Sequence, residues 1–310
     1  MNTAWRNFLT LFLFSLVLIL SSVTIAVHAE SFATATVDSV TAGDEKVEKG
    51  HKQAGDQTEI QQLNGHTYRI ASTNGWFSWE LKMLPDAAQE LDIEFGGERH
   101  RPADTVDIFA NEIKIATVRL AGGPRAEYYP LTNTVLKGKD AITVKFQASV
   151  GSRIDGIANV SVVKVPPPTI ASASTASSTR TNWQFIVNAV KDQHEPKSSG
   201  DRLKRHFDWW PAKGTNQWVQ YDFAKPTRVS AVEVYWFDDT GIGECRLPKS
   251  WRVLYRDNGE WKAVANPTGY SCEGDRYNRT TFDAVETEGL RLDVQLPERF
   301  SSGLLQWKVE

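Results

Sequence analysis

Residues 206–211 read His206-Phe207-Asp208-Trp209-Trp210-Pro211, two adjacent indole rings beside an imidazole and a carboxylate. Sugar faces are apolar C–H surfaces rimmed by hydroxyls. A site that recognises them wants an aromatic plate with acids, amides, His or Arg around it. Neighbours on an extended segment point to opposite faces, so both rings cannot turn inward and at least one is expected to be exposed or to line a cleft. The same residues also fit a plainer arrangement, one ring in the core and one covering the end of the fold.

A second group surrounds Trp236 and the loop Phe237 to Leu247, which carries Asp238, Asp239 and Arg246. Two adjacent carboxyls do not suit a facing acid and base, which need a separation of about 5 to 9 Å across a bond. They suit Asx bonds over the Thr240-Gly241 turn first, and contacts to sugar hydroxyls or Arg246 second. The expected carbohydrate-binding residues are therefore His206, Asp208, Trp209, Trp210, Trp236, Asp238, Asp239 and Arg246, and no residue is expected to be catalytic. The chain has two cysteines, Cys245 and Cys272. In an oxidising compartment an even pair is expected to form a disulfide, which would pin this loop to the segment Tyr270 to Tyr277. No His lies near either Cys in sequence, so four zinc ligands are not to hand. His51, His66, His100 and His194 are scattered and expected to be solvated.

These groups need strands to hold them. Eight of the eleven tryptophans lie between 183 and 307, and Trp218, Trp251 and Trp307 fall inside alternating runs where a large ring packs a sheet face. From Thr58 to Val165 apolar residues alternate: Leu91, Ile93 and Phe95 against Asp92 and Glu94, then Ile142, Val144 and Phe146 against Thr143 and Lys145. Period two predicts strands with one wet face, and a hairpin is predicted through Asp107 to Ile115 with its turn at Asn111. Val165-Pro166-Pro167-Pro168 and the Ala/Ser/Thr run to Thr181 predict a linker that opens a second set of strands. That set runs through Val219, Tyr221 and Phe223; Val232, Val234 and Trp236; Trp251, Val253 and Tyr255; Leu290, Leu292 and Val294; and Leu305, Trp307 and Val309. Short strands at such spacing argue a sandwich. The predicted fold is all-β, two tandem β-sandwiches at 58–165 and 182–310 joined by the linker 166–181.

Phe8 to Val27 is apolar and uncharged, Arg6 precedes it, and Val27-His28-Ala29 supplies a small-x-small ending. This pattern predicts a signal peptide over 1–29, a flexible spacer over 30–57, and a protein secreted to an extracellular or periplasmic space. If the segment is not cleaved it is long enough to anchor the chain in a membrane. Its removal takes one Arg and no acid. The 310-residue chain is 41% hydrophobic and 24% charged with a formal net charge of -3. That composition excludes a disordered polymer and a nucleic-acid binder driven by bulk positive charge.

The order Ala171-Ser172-Ala173-Ser174, Val187 to Asp192, Trp209-Trp210, Gln217 to Phe223 and Val229 to Trp236 resembles the discoidin-like (coagulation factor type C, galactose-binding-like) jelly-roll family. Trp236 to Trp251 and the closing Leu305-Gln306-Trp307-Lys308-Val309 look like the C-terminal accessory region of β-L-arabinofuranosidase-type, family 127-like glycoside hydrolases. Asn74 to Ser78 and the Asp107-Ile108-Phe109 hairpin look like the sandwich that precedes it there. The resemblance covers only the non-catalytic part of that architecture. The helical barrel, with its zinc-bound cysteine cluster, has no counterpart in this sequence. It implies a non-catalytic partner of a polysaccharide or glycan, with a separate glycoside hydrolase as a further partner; a docking module for such a hydrolase and an arabinoside hydrolase are the alternatives. The discoidin-like resemblance also implies a structural calcium, for which Asp192 and Asp201 are the candidate ligands. No other cofactor is expected.

Overall fold

The computed structural model describes residues 35–85, 87–96, 104–120, 124–180 and 187–310. The predicted export segment lies outside them. The first sheet comprises β1 (Ala35–Thr41), β2 (Ala54–Leu63), β3 (His66–Lys82), β4 (Gln89–Phe95), β5 (Thr105–Ala110), β6 (Ile113–Arg119), β7 (Arg125–Pro130), β8 (Ala141–Ala148) and β9 (Ile154–Lys164), with short helices α1 (Glu45–Gly50) and α2 (Asn133–Leu136). Its order is β6-β5-β8-β3-β9-β4-β7, with β1 on β9 and β2 on β3, every pair antiparallel.

The two predicted alternations hold. Leu91, Ile93 and Phe95 of β4 and Ile142, Val144 and Phe146 of β8 are buried in one core with Phe77, Trp79 and Leu81 of β3. The β3 strand belongs to both layers of the sandwich: its first half pairs with β9 and its second half with β8. The β5–β6 hairpin turns at Asn111 and Glu112, both at positive φ (47° and 68°), as a two-residue hairpin of this hand requires.

The segment expected to be a flexible spacer holds regular structure over its described residues, 35–57. It contributes β1, α1 and the start of β2. Its polar residues hid it from the period-two test because they are structural. Asp44 caps α1 by accepting from the Lys46 and Val47 N–H groups, and Glu48 of α1 meets Arg69 of β3 in a buried fork with Oε1–Nε and Oε2–Nη2 both at 2.7 Å.

The second sheet contains β10 (Thr175–Ser178), β11 (Phe207–Asp208), β12 (Asn216–Phe237), β13 (Ser250–Asp257), β14 (Glu260–Ala263), β15 (Tyr277–Gln295) and β16 (Gly303–Val309), in the order β11-β16-β12-β15-β13-β14 with β10 on β12. Two strands predicted as separate, at 219–223 and 232–236, are one long β12. Its register against β15 shifts between Asp222 and Thr227, which lets one chain segment pass from layer to layer. A second irregularity sits where Tyr235 pairs with Gln306 but Trp236 pairs with Leu304. The extra residue, Leu305, turns away from Trp307 and Val309 and packs with Tyr235, Phe237 and Cys245 on the other side.

The loop between Asp192 and His206 packs on the β4–β7 edge of the first sandwich. Ala126 N donates to Leu203 O at 2.8 Å, and the His194 ring stacks on Tyr128 at 3.6 Å with Nε2 2.7 Å from Glu90 Oε1. His194, expected to be solvated, is buried in this seam.

Candidate functional site

The strand β11 is only two residues long, and it fixes everything that follows it. Phe207 pairs with Leu304 and Asp208 with Gly303, so Phe207 is buried and Asp208 faces out. A Cβ on Gly303 would lie 2.5 Å from the Phe207 carbonyl oxygen, so this close pairing requires glycine. Alternation then carries Trp209 inward. It is 2% exposed, edge-on to Phe207 with ring centroids 5.0 Å apart. Trp210 turns out and is 49% exposed.

Trp210 is held at one edge. Its indole N–H donates to Glu244 Oε2 at 2.8 Å, and Lys213 Nζ donates to Glu244 Oε1 at 2.8 Å. These two bonds keep the Glu244 carboxyl below the usual carboxylate range. Neither Glu244 nor Lys213 was singled out from the sequence; the only signal was that each lies on a loop flanking the aromatic pair.

Asp208 serves the backbone and Arg180. Its Oδ1 accepts from the Trp210 N–H at 2.9 Å and from Arg180 Nη1, which also donates to the Asp208 carbonyl at 2.7 Å. His206 lies with Nε2 3.7 Å from Asp208 Oδ2, and its ring stacks on Phe237 at 3.8 Å. Burial lowers the His206 pKa against the opposing pull of Asp208.

The loop after β12 takes the turn-forming role. Asp238 Oδ1 accepts from Thr240 N at 2.9 Å and its Oδ2 from Leu247 N at 3.3 Å; Asp239 Oδ1 accepts from Cys245 N at 2.8 Å. A Cβ on Gly243 would meet Asp239 Oδ2 at 1.9 Å, so this glycine makes room for the carboxylate. Arg246 donates to the Gly243 and Cys245 carbonyls and lies over the Phe300 ring at 4.4 Å. Trp236 is fully buried, edge-on to Trp251 at 5.6 Å. Of the eight residues expected to bind sugar, Trp209 and Trp236 are thus core. Asp238, Asp239 and Arg246 build the loop, and Trp210 is the one presented ring.

The predicted disulfide is absent. Cys245 and Cys272 are both free. The Cys245 side chain packs with Tyr235, Phe237 and Leu305, whereas Cys272 packs against the main core of the second sandwich. Burial pushes the Cys245 thiol up to about 12. The loop is tied by backbone instead: Ser301 N donates to Glu244 O and Arg246 N to Ser301 O, each at 2.9 Å.

Asp192 and Asp201, named as calcium ligands, do not form an oxygen cage. Asp192 Oδ1 accepts from Lys204 Nζ at 3.0 Å, from Gln306 Nε2 at 2.8 Å and from His194 N at 3.0 Å, while Asp201 accepts from the Lys197 and Lys204 N–H groups. The cation facing Asp192 is the buried Lys204 ammonium, so this donor set does not fit a calcium ion. Among the described residues no group of three or more His, Cys, Asp or Glu side chains could hold a metal.

A second aromatic group faces out from the other layer. Arg291 lies over the rings of both Trp218 (4.4 Å) and Trp261 (4.3 Å) and donates to Gln220 Oε1, while Arg256 lies over Trp261 and pairs with Asp222.

Residues 173–303 match the F5/8 type C domain family, so the second sandwich is a discoidin-like domain. Residues 31–163 match a family of unknown function, DUF6805. No curated protein matches the chain. Solved structures similar to it include chitosan-binding module 1 of a chitosanase/glucanase from Paenibacillus sp. IK-5, at 15% identity over 46% of this chain and 98% of that one with a TM-score of 0.34. Another is the Streptococcus pneumoniae beta-galactosidase BgaA, at 18% identity over 44% and 90% with a TM-score of 0.37. A third is the Clostridium perfringens module CpGH89CBM32-5 in complex with GalNAc-beta-1,3-galactose, at 8% identity over 45% and 97% with a TM-score of 0.35.

Proposed function

We propose that this chain is a secreted, non-catalytic glycan-binding protein whose discoidin-like domain uses Trp210 as its sugar-stacking plate. The observation that carries this reading is the presentation of Trp210: half-exposed, and locked by the Glu244 and Lys213 hydrogen bonds. A large ring fixed before binding loses little entropy when a sugar stacks on it. Glu244 keeps lone pairs and Lys213 keeps protons for hydroxyls around the rim. Asp208 and the 238–247 loop act one step back, by fixing the backbone on either side. The resemblance to the accessory region of family 127-like hydrolases makes a hydrolase acting on the same glycan the fitting partner class.

Calorimetry of the full chain with arabinose- and galactose-containing oligosaccharides tests the proposal. Trp210→Ala is expected to lose at least tenfold in affinity, because stacking and its ordered rim go together. No binding by the wild type, or binding that Trp210→Ala leaves unchanged, refutes it. One observation favours docking to a partner protein instead: Ile242, in the neighbouring loop, is 73% exposed. That reading predicts capture of a hydrolase that Ile242→Ser abolishes while sugar binding is unaffected.

A further inference from the structure

The first sandwich has an outward face of its own. On β3, β8 and β5 the cross-strand rows are Trp76, Gln147 and Asp107, then Ser78, Lys145 and Phe109. Directly paired residues share a face. The rows therefore place Trp76 at one side, Phe109 at the other, and the small Ser78 as floor between larger walls. The result is a groove of about 360 Å³ that also takes in Glu112 from the β5–β6 turn. That size falls in the range of ligand sites.

Both walls are pinned. Thr143 N donates to Asn111 Oδ1 and Asn111 N to Thr143 O, each at 2.9 Å, which fixes the hairpin tip over β8. At the other end Gln147 Nε2 donates to the Asn74 and Gly75 carbonyls, fixing the bend of β3 next to Trp76. Two charged groups of the groove, Lys145 and Glu112, are not used up by the fold. Among the described residues Lys145 Nζ, 4.5 Å from the centre of the Trp76 ring, has no carboxylate in ion-pairing range, and the Glu112 carboxylate has no cation in that range. One unused ammonium and one unused carboxylate leave the lining without net charge. Donors and acceptors interleave there between two aromatic plates.

We propose that this groove is a second carbohydrate site, on a domain to which no function is assigned, and that it takes a neutral oligosaccharide. A hydroxyl is donor and acceptor at once and so satisfies both kinds of lining group, whereas an anionic or cationic ligand would leave Glu112 or Lys145 facing a like charge. Trp76 and Phe109 stand two strands and one row apart, roughly 12 Å along the sheet. That distance exceeds one sugar ring, so the occupant is a chain of at least two residues. Lys145 swings off the Trp76 face to meet a hydroxyl as the sugar stacks.

The inference is independent of the Trp210 site, and affinity electrophoresis separates the two. The full chain and its Trp76→Ala, Phe109→Ala, Trp210→Ala and Trp76→Ala/Trp210→Ala variants are run through gels containing arabinogalactan, arabinoxylan, galactomannan or polygalacturonate. Circular dichroism confirms that each variant is folded. Trp210→Ala is expected to remain retarded by at least one of the neutral polysaccharides. Adding Trp76→Ala should weaken that retardation at least tenfold, with Phe109→Ala acting in the same direction. Failure of Trp210→Ala to be retarded by any neutral polysaccharide, or retardation insensitive to Trp76→Ala, overturns the inference. So does a Trp76 effect confined to polygalacturonate. Retardation that Trp210→Ala does not change refutes only the site on the second domain.

Discussion

Asp92 is the carboxylate that the seam between the sandwiches treats worst, and replacing it with Asn should stabilise the protein. It lies on β4 opposite Tyr128 of β7, and this position is half-buried where the Asp192–His206 loop packs on it. Its Oδ1 is inaccessible and accepts no hydrogen bond. Burial raises its pKa from 3.8 to about 6; Glu94 and Glu90 push the same way, while His194 and Lys197 oppose. The folded state therefore binds this proton more tightly than the unfolded chain does. The stability it confers is fully present below about pH 4 and is lost as pH rises through 6. A rise from 3.8 to about 6 costs the ionised form about 3 kcal/mol at neutral pH, a ceiling that solvent screening lowers. Asp92→Asn keeps the volume and removes the charge, so it should gain about 1–3 kcal/mol at pH 7.5 and nearly nothing at pH 4. Urea unfolding followed by tryptophan fluorescence at both pH values measures the difference. An equal effect at the two pH values, or destabilisation at pH 7.5, would show that burial of this carboxylate is not the cause.

Arg69→Met strands Glu48 without its partner in the first core, and thermal or urea unfolding should show a loss of about 3–5 kcal/mol; Glu48→Leu/Arg69→Met should recover most of it. Thiol titration of the native protein should modify the half-buried Cys272 slowly and leave Cys245 unreacted, and reductant should not move the unfolding midpoint. A disulfide would instead make both thiols silent and cost about 2–4 kcal/mol on reduction.

Period-two reading worked where one sheet face is dry and the other wet, as at Leu91-Ile93-Phe95 and Val232-Val234-Trp236. It failed where that contrast vanishes. β2 is exposed along nearly its whole length and so carries no apolar rhythm, although it pairs with β3 from Ala54 to Leu63. The bulge at Leu305 reverses the faces partway along β16, which no local pattern announces. At the candidate site the sequence showed that two neighbouring rings must divide between inside and outside. Which ring went where depended on the pairing of Asp208 with Gly303, ninety-five residues away. The disulfide expectation came from counting cysteines, and the count is silent about which layer each thiol enters.

The same chemistry explains why three outward-facing aromatic groups, Trp210 exposed and the others half-buried, are not equivalent. Trp218 and Trp261 share one guanidinium, and Arg291 is itself anchored by Nε and Nη2 to Gln220 Oε1 at 3.2 and 2.6 Å. A sugar approaching those rings would have to displace a cation that is hydrogen-bonded and stacked on both sides, so this face serves the sheet. Among the described residues the Trp210 ring is bonded through its edge alone, and that bond orients the ring without covering a face. Trp76 is covered, but by an ammonium on a flexible stem that no carboxylate among the described residues holds in place. What marks an aromatic as a plate for a ligand is thus less its exposure than the anchoring of whatever lies against it. By that criterion Trp210 and Trp76 are available, one on each domain, and the Trp218–Trp261 pair is already occupied.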